Sequence, residues 1–130
     1  MLSSVPGDDV VIVADLEAGI GTLTRLEDSA VDATVVVVEP TPRSIDVAKR
    51  AVMVATERDQ GRIVIVANKV SDAQDKARIE AEFEGQTIMV VPADDVVDQA
   101  DRQGLSPLDI NPDAPAVAAL ELVASTLVNQ

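Results

Sequence analysis

Asp15 and Gly19 carry the first chemistry that the sequence offers. The acid follows the apolar run Val10-Val11-Ile12-Val13-Ala14, and the glycine comes four positions after the acid. A run so short and so rich in β-branched residues reads as a strand buried on both faces. Asp15 would then stand at the carboxyl end of that strand, where open α/β sheets place their ligands. In a phosphate-binding enzyme such an acid holds Mg²⁺, usually through the ion's water shell. The glycine beyond it lets a backbone N–H approach a terminal phosphate. Together these residues make half of a nucleotide site. The other half, a glycine-rich loop with its lysine, is not found: neither Gly19-Ile20-Gly21-Thr22 nor Gly61-Arg62 makes G-x-x-x-x-G-K-[ST].

Composition excludes most other chemistries. The chain has no cysteine and no histidine. Thiolate nucleophiles, imidazole metal sites and serine–histidine triads are therefore ruled out. A net charge of −13 repels phosphate backbones and anionic lipid, so nucleic acid and membrane surfaces are not expected partners. No stretch reaches the roughly 18 apolar residues of a membrane span, and the start lacks the pattern of a signal peptide. A soluble, cytoplasmic protein is expected. The 130 residues fit one domain, and with Phe83 the lone aromatic the core must come from Val, Ile, Leu and Ala.

The elements that would position Asp15 follow in alternation. Met1 to Asp9 reads as a turn-rich lead-in, and Thr22 to Ser29 as a short helix. The second strand is Thr34 to Glu39. Thr41 caps the next helix with Pro42 at its first position, and Ile45, Ala48, Val52 and Ala55 form its buried stripe to about Asp59. Strand three runs Arg62 to Ala67 and leads into Asn68-Lys69. Asp72 caps a helix to Glu84 that buries Ile79 and Phe83, with Lys76–Glu80 and Arg78–Glu82 pairs on its outer face. Strand four is Thr87 to Val91, stopped by Pro92. A helix from Asp94 to Gln103 and a loop Leu105 to Pro115 come next. The last helix, about Ala114 to Leu127, would bury Val117, Leu120, Val123 and Leu127. The class is α/β: a mostly parallel sheet of about four strands with helices on both faces.

With these residues in order, the chain resembles the C-terminal half of the MinD/ParA class of P-loop ATPases. The nearest branch is the carbon monoxide dehydrogenase accessory ATPases that assist nickel insertion. The resemblance rests on Asp15-x-Glu17-Ala18-Gly19-Ile20 with Arg25, Val31-Asp32, and Pro40-x-x-Arg43-Ser44 with Ala48 and Arg50. Asn68-Lys69, Pro92-x-Asp94 and Asp101-x-x-Gly104 complete it. It implies that Asp15 closes the Mg²⁺ shell, that Gly19 is the switch glycine near the γ-phosphate, and that Asn68 gives its side-chain amide to adenine. The backbone around Pro92 would wall the base. Glu17 and Arg25 would belong to the switch segment that reports nucleotide state to a partner. A guanine site would show an acid two positions after Lys69, where Ser71 stands, so adenine is the expected base. Gly21 stands where the nickel-insertion branch has a glutamate, and that branch's nickel-binding cysteines are absent.

The same resemblance places the phosphate-loop strand between the Asp15 and Val35 strands. Without it, two strands of buried composition face a gap, an arrangement that invites pairing with another chain. Read without the resemblance, Asp15 is a helix-cap or turn residue, Asn68 a turn former, Lys69 a solvated charge and Asp94 a helix cap. Arg43 and Arg50 would form surface ion pairs, and Met53, Met89 and Phe83 belong to the core. A receiver-type signalling domain is set aside because Glu39, not aspartate, ends the mid-chain strand. The expected function is an ATPase-like accessory or regulatory domain that binds ATP or ADP with Mg²⁺, does not hydrolyse it alone, and associates with a protein partner or itself. The alternatives are an interaction module pairing through its sheet edge, or a fragment of a complete ATPase.

Overall fold

The computed structural model describes residues 10–16 and 31–129. The valine run of the second expected strand becomes β1 (Ala33–Val38), and the runs after it become β2 (Arg62–Val70) and β3 (Thr87–Pro92). All three are parallel in the order β1-β2-β3. The central strand β2 is the most deeply buried, as its nearly unbroken apolar run requires. Its register with β1 runs without interruption from Ala33 opposite Arg62 to Val38 opposite Ala67.

One face of the sheet is covered by α1 (Pro42–Glu57) and α2 (Ala73–Glu82). Thr41 caps α1 by accepting from the Ser44 N–H at 3.3 Å, with Pro42 at the first helical position. Ile45 and Ala48 of α1, with Ile79 and Phe83 at the end of α2, close over Val36, Val38, Ile65 and Ala67. Val38, Ile65 and Ile79 are wholly buried, each contributing about 1.5–3 kcal/mol of apolar burial. Asp72 caps α2 by accepting from the Asp75 N–H at 2.8 Å. On the outer side, Lys76 pairs with Glu80 at 3.6 Å as the spacing predicts, but Arg78 does not pair with Glu82. Lys49 reaches across from α1 to take Glu82 at 2.8 Å, leaving Arg78 near Asp75. Met53 is exposed rather than part of the core.

Gly61 makes the return from α1 to β2. Its φ of +69° lies in the left-handed region, and a Cβ there would stand 2.6 Å from the Asp32 carbonyl oxygen. Glycine is therefore required twice over, by dihedral and by space. The Arg62 N–H donates to that same carbonyl at 3.0 Å, so the close approach is what starts the β1–β2 ladder.

The other face carries α5 (Pro115–Val128), reached through α3 (Asp95–Gln103) and the short α4 (Pro107–Ile110), which interrupts the expected loop. Ala116 and Val123 pack on Val66 and Val91, with Met89 and Leu127 beside them. Arg62 Nη2 donates to the Thr126 carbonyl at 3.1 Å, fixing the end of α5 at the start of β2. The helix thus runs back over β2 and β3 and leaves β1 uncovered on this side. Val35 and Val37 are consequently 40% and 58% exposed. Leu120, expected to be buried, is 47% exposed, since no fourth strand or further helix among the described residues reaches it.

The expected first strand is not formed. Residues 10–16 take no regular structure, and Val13 is 87% exposed. Strand propensity needs a neighbouring ladder and a covering layer to act on, and Val10–Ala14 pairs with none of the three described strands. The sheet therefore has three described strands where about four were expected. The lead-in before Val10 and the helix expected over Thr22 to Ser29 lie outside the described residues.

Candidate functional site

The three strands end together, bringing Glu39, Asn68-Lys69 and Pro92 to one edge of the sheet. This is the edge at which parallel sheets bind ligands. Asn68 and Lys69 do not stop β2, as the sequence reading has it, but form a bulge within it. Ala67 pairs with Val90 and Val70 with Pro92, so two residues of β2 stand opposite the single Val91. The extra residue reverses the alternation of faces. Ala67 and Val70 both join the core under α1 and α2, while Asn68 stays half-buried and Lys69 exposed. Lys69 takes the left-handed region with φ of +56°, which a lysine rarely adopts. The bulge closes with the Ala93 N–H donating to the Val70 carbonyl at 2.9 Å.

Two contacts hold this edge. Lys69 Nζ meets Glu39 Oε1 at 2.9 Å, tying the end of β1 to the bulge. The Glu39 carboxylate, by hydrogen bond first and by charge second, holds the Lys69 ammonium above its usual value. Asp94 accepts from the Val96 N–H at Oδ1 and the Ala116 N–H at Oδ2, both at 3.0 Å. It thereby caps α3 and anchors the first turn of α5 with a single carboxylate. These hydrogen bonds, Ala116's the larger, hold its pKa below the ordinary carboxylate value. Glu39 is itself fixed from the backbone, its N–H donating to Ser44 Oγ at 2.9 Å. Arg78 Nη1 donates to the Pro40 carbonyl at 3.1 Å.

The structure brings two of the predicted site residues together. Pro92 is paired with Val70, two positions beyond Asn68. The Asn68 side-chain amide hydrogen-bonds to no other described residue. Asp15 is exposed on the 10–16 segment and makes no hydrogen bond or ion pair with Asn68, Lys69 or Pro92. Glu17, Gly19 and Arg25 lie outside the described residues. Sequence reasoning missed the Glu39–Lys69 pair. Its one signal was that Glu39 directly follows, and Lys69 follows one residue after, the apolar run of a parallel strand, which puts them at one edge. The second hydrogen bond of Asp94 spans 22 positions and has no local signal.

Neither Arg43 nor Arg50 forms an ion pair with a described residue; Arg50 Nε donates instead to the Asp46 carbonyl. The surface groove between α1 and α2, about 210 Å³ and lined by Lys49, Val52, Met53, Glu82 and Phe83, lies below the roughly 300 Å³ at which ligand pockets begin. Among the described residues no group of three or more acids is arranged to hold a metal ion. No helix among them is long and apolar enough to cross a membrane.

No family model matches the chain. Curated relatives do. An uncharacterized ATP-binding protein of Methanocaldococcus jannaschii is 31% identical over 121 residues, which is 91% of this chain and 46% of that protein. A second uncharacterized ATP-binding protein of the same organism is 28% identical over 123 residues, 92% of this chain and 47% of its own length. The carbon monoxide dehydrogenase accessory protein CooC of Rhodospirillum rubrum is 31% identical over 102 residues, 78% of this chain and 39% of CooC. The chain spans about half the length, or less, of each of these relatives. It is similar to ATP-binding proteins and to a carbon monoxide dehydrogenase accessory protein, and this similarity supports a relationship to the P-loop ATPases.

Proposed function

We propose that the chain is an ATPase-like accessory or regulatory domain that receives an adenine nucleotide at the carboxyl edge of its sheet. The observation that carries the reading is Asn68: a half-buried amide without a hydrogen-bond partner among the described residues, in a bulge beside Pro92, where the three strands end. An amide with a free N–H and a free C=O can pair with the N–H and ring-nitrogen pattern on the edge of adenine. The backbone at Pro92 walls the base. The names of two relatives, ATP-binding proteins, favour this ligand. Asp15 would hold Mg²⁺ through its water shell, Gly19 would sit near the terminal phosphate, and Glu17 and Arg25 would relay nucleotide state to a partner.

The phosphate half of the site would come from residues other than these 130, which contain no phosphate-loop motif. Phosphoryl transfer depends on that loop for charge neutralisation, so this domain alone holds the base and does not hydrolyse ATP. It acts in MinD/ParA or metalloenzyme-maturation fashion, with a protein partner or with itself, in the cytoplasm. Calorimetric titration with ATP and Mg²⁺ tests the reading: binding that Asn68→Ala abolishes supports it, and absence of binding refutes it for these 130 residues.

A second reading is favoured by β1. Its outer edge is unpaired among the described residues, and Val35 and Val37 are bare on the face that α5 does not cover. Here the edge itself would be the binding surface, acting by strand addition without nucleotide.

A further inference from the structure

We infer that Lys69 is a positioning residue, held by Glu39, that fixes where the Asn68 amide stands at the mouth of the site. The inference deepens the adenine reading in one respect only, the choice of Asn68 as the group that meets the ligand; the positioning itself is a property of the free chain. Three observations carry it. The bulge places Asn68 and Lys69 together opposite one residue of β3, so the orientation of each depends on the other's backbone. Lys69 adopts a left-handed φ of +56° at a position that is not glycine. Its ammonium reaches Glu39 Oε1 at 2.9 Å, across to the end of the neighbouring strand.

A solvated lysine has no need of a left-handed backbone. Glycine or asparagine would take this φ more readily, and neither would reach Glu39. The residue present keeps the less favourable dihedral and gains the tether. Glu39 is a fit anchor because its own backbone N–H is fixed on Ser44 Oγ at 2.9 Å, at the start of α1. The chain from α1 to Glu39 to Lys69 thus sets the Asn68 backbone from one side. The Val70–Pro92 pair and the Ala93–Val70 hydrogen bond set it from the other. With both sides fixed, the Asn68 amide requires little ordering when a ligand arrives, which is how preorganised sites gain affinity.

The test uses the full chain, ¹⁵N-labelled, with the Asn68 side-chain amide signals assigned by their loss in Asn68→Asp. Glu39→Gln weakens the tether by removing its charge, Lys69→Met cuts it, and Lys69→Gly cuts it while relieving the dihedral. All three should displace the Asn68 side-chain signals, while the Ala93 amide, reporting the bulge, keeps its exchange protection in Lys69→Gly. The double variant Glu39→Gln/Lys69→Met should displace them no further than Lys69→Met alone. Raising NaCl to about 0.5 M screens an exposed ion pair and should move the wild-type signals toward the variants' positions. Lys69→Arg should leave them in place. Asn68 signals that stay put in Glu39→Gln and Lys69→Met overturn the inference. Titration of the same samples with ATP and Mg²⁺ separates the two claims. A three- to tenfold weaker affinity in Glu39→Gln, at an unchanged melting temperature, supports both. An affinity equal to wild type overturns the positioning role, and a wild type that binds no ATP removes the adenine reading while the Asn68 signals still decide the positioning.

Discussion

Replacing Gly61 by alanine should damage this fold far more than replacing Gly85, although both glycines lie in left-handed turns after helices. At Gly85, φ is +81° and an added Cβ meets nothing within 4 Å. Alanine there loses only the dihedral preference, about 1–2 kcal/mol. At Gly61, φ is +69° and the same Cβ would stand 2.6 Å from the Asp32 carbonyl oxygen, a backbone atom that cannot swing aside. That carbonyl also accepts the Arg62 N–H at 3.0 Å, so relieving the clash stretches the first rung between β1 and β2. Overpacking of this kind adds about 1–3 kcal/mol, giving about 2–5 kcal/mol in all for Gly61→Ala. Against a typical domain stability of about 5–15 kcal/mol this is a large fraction. At roughly 4 °C per kcal/mol for a domain of this size, the melting temperature should fall by about 8–20 °C, against about 4–8 °C for Gly85→Ala. Thermal and urea unfolding followed by circular dichroism measures both. Equal losses in the two variants would refute the close approach of Gly61 to β1.

Other outcomes follow from the same geometry. Asp94 has a lowered pKa in the fold, so its contribution is present above its unfolded value near 3.8 and is lost as pH falls through the lower folded value. The melting temperature of wild type should therefore exceed that of Asp94→Asn at neutral pH, and the two should converge in acid below about pH 4. Curves that remain parallel to the lowest pH would contradict the double-cap role. Val37→Lys places a charge on the bare face of the edge strand and should change stability by less than about 0.5 kcal/mol. If the edge binds a second copy, the variant should elute as a smaller species than wild type in size-exclusion chromatography; identical elution would dismiss the edge as a self-association surface.

Much of the fold was legible because local signals agreed with one another. Thr41-Pro42, Asp72 and Asp94 announce helix starts, and each does cap the helix it precedes. The unbroken run Val35–Val38 reads as a strand covered on both faces, but β1 is covered on one face only, since α5 lies over β2 and β3. Where the reading departs, the missing information is non-local. Val10–Ala14 has the composition of a buried strand, yet composition cannot supply the neighbour that a strand must pair with. The bulge at Asn68-Lys69 looks like a strand end, because two polar residues break the apolar run before Val70 resumes it. Leu120 keeps helical spacing with buried Val117 and Val123, but the layer that would cover it is not among the described residues. In the candidate site, Asn68 and Pro92 are named by the resemblance, whereas the pairing of Glu39 with Lys69 depends on a parallel register that spacing alone does not give.

The central claim is that the carboxyl edge of this sheet receives an adenine nucleotide through Asn68. Isothermal titration of the purified chain with ATP and Mg²⁺, with GTP alongside and Asn68→Ala as the matched variant, tests it most directly. ATP should bind, GTP should bind at least tenfold more weakly, and Asn68→Ala should lose the ATP signal without losing its fold. No heat with ATP, or equal binding by Asn68→Ala, would contradict it.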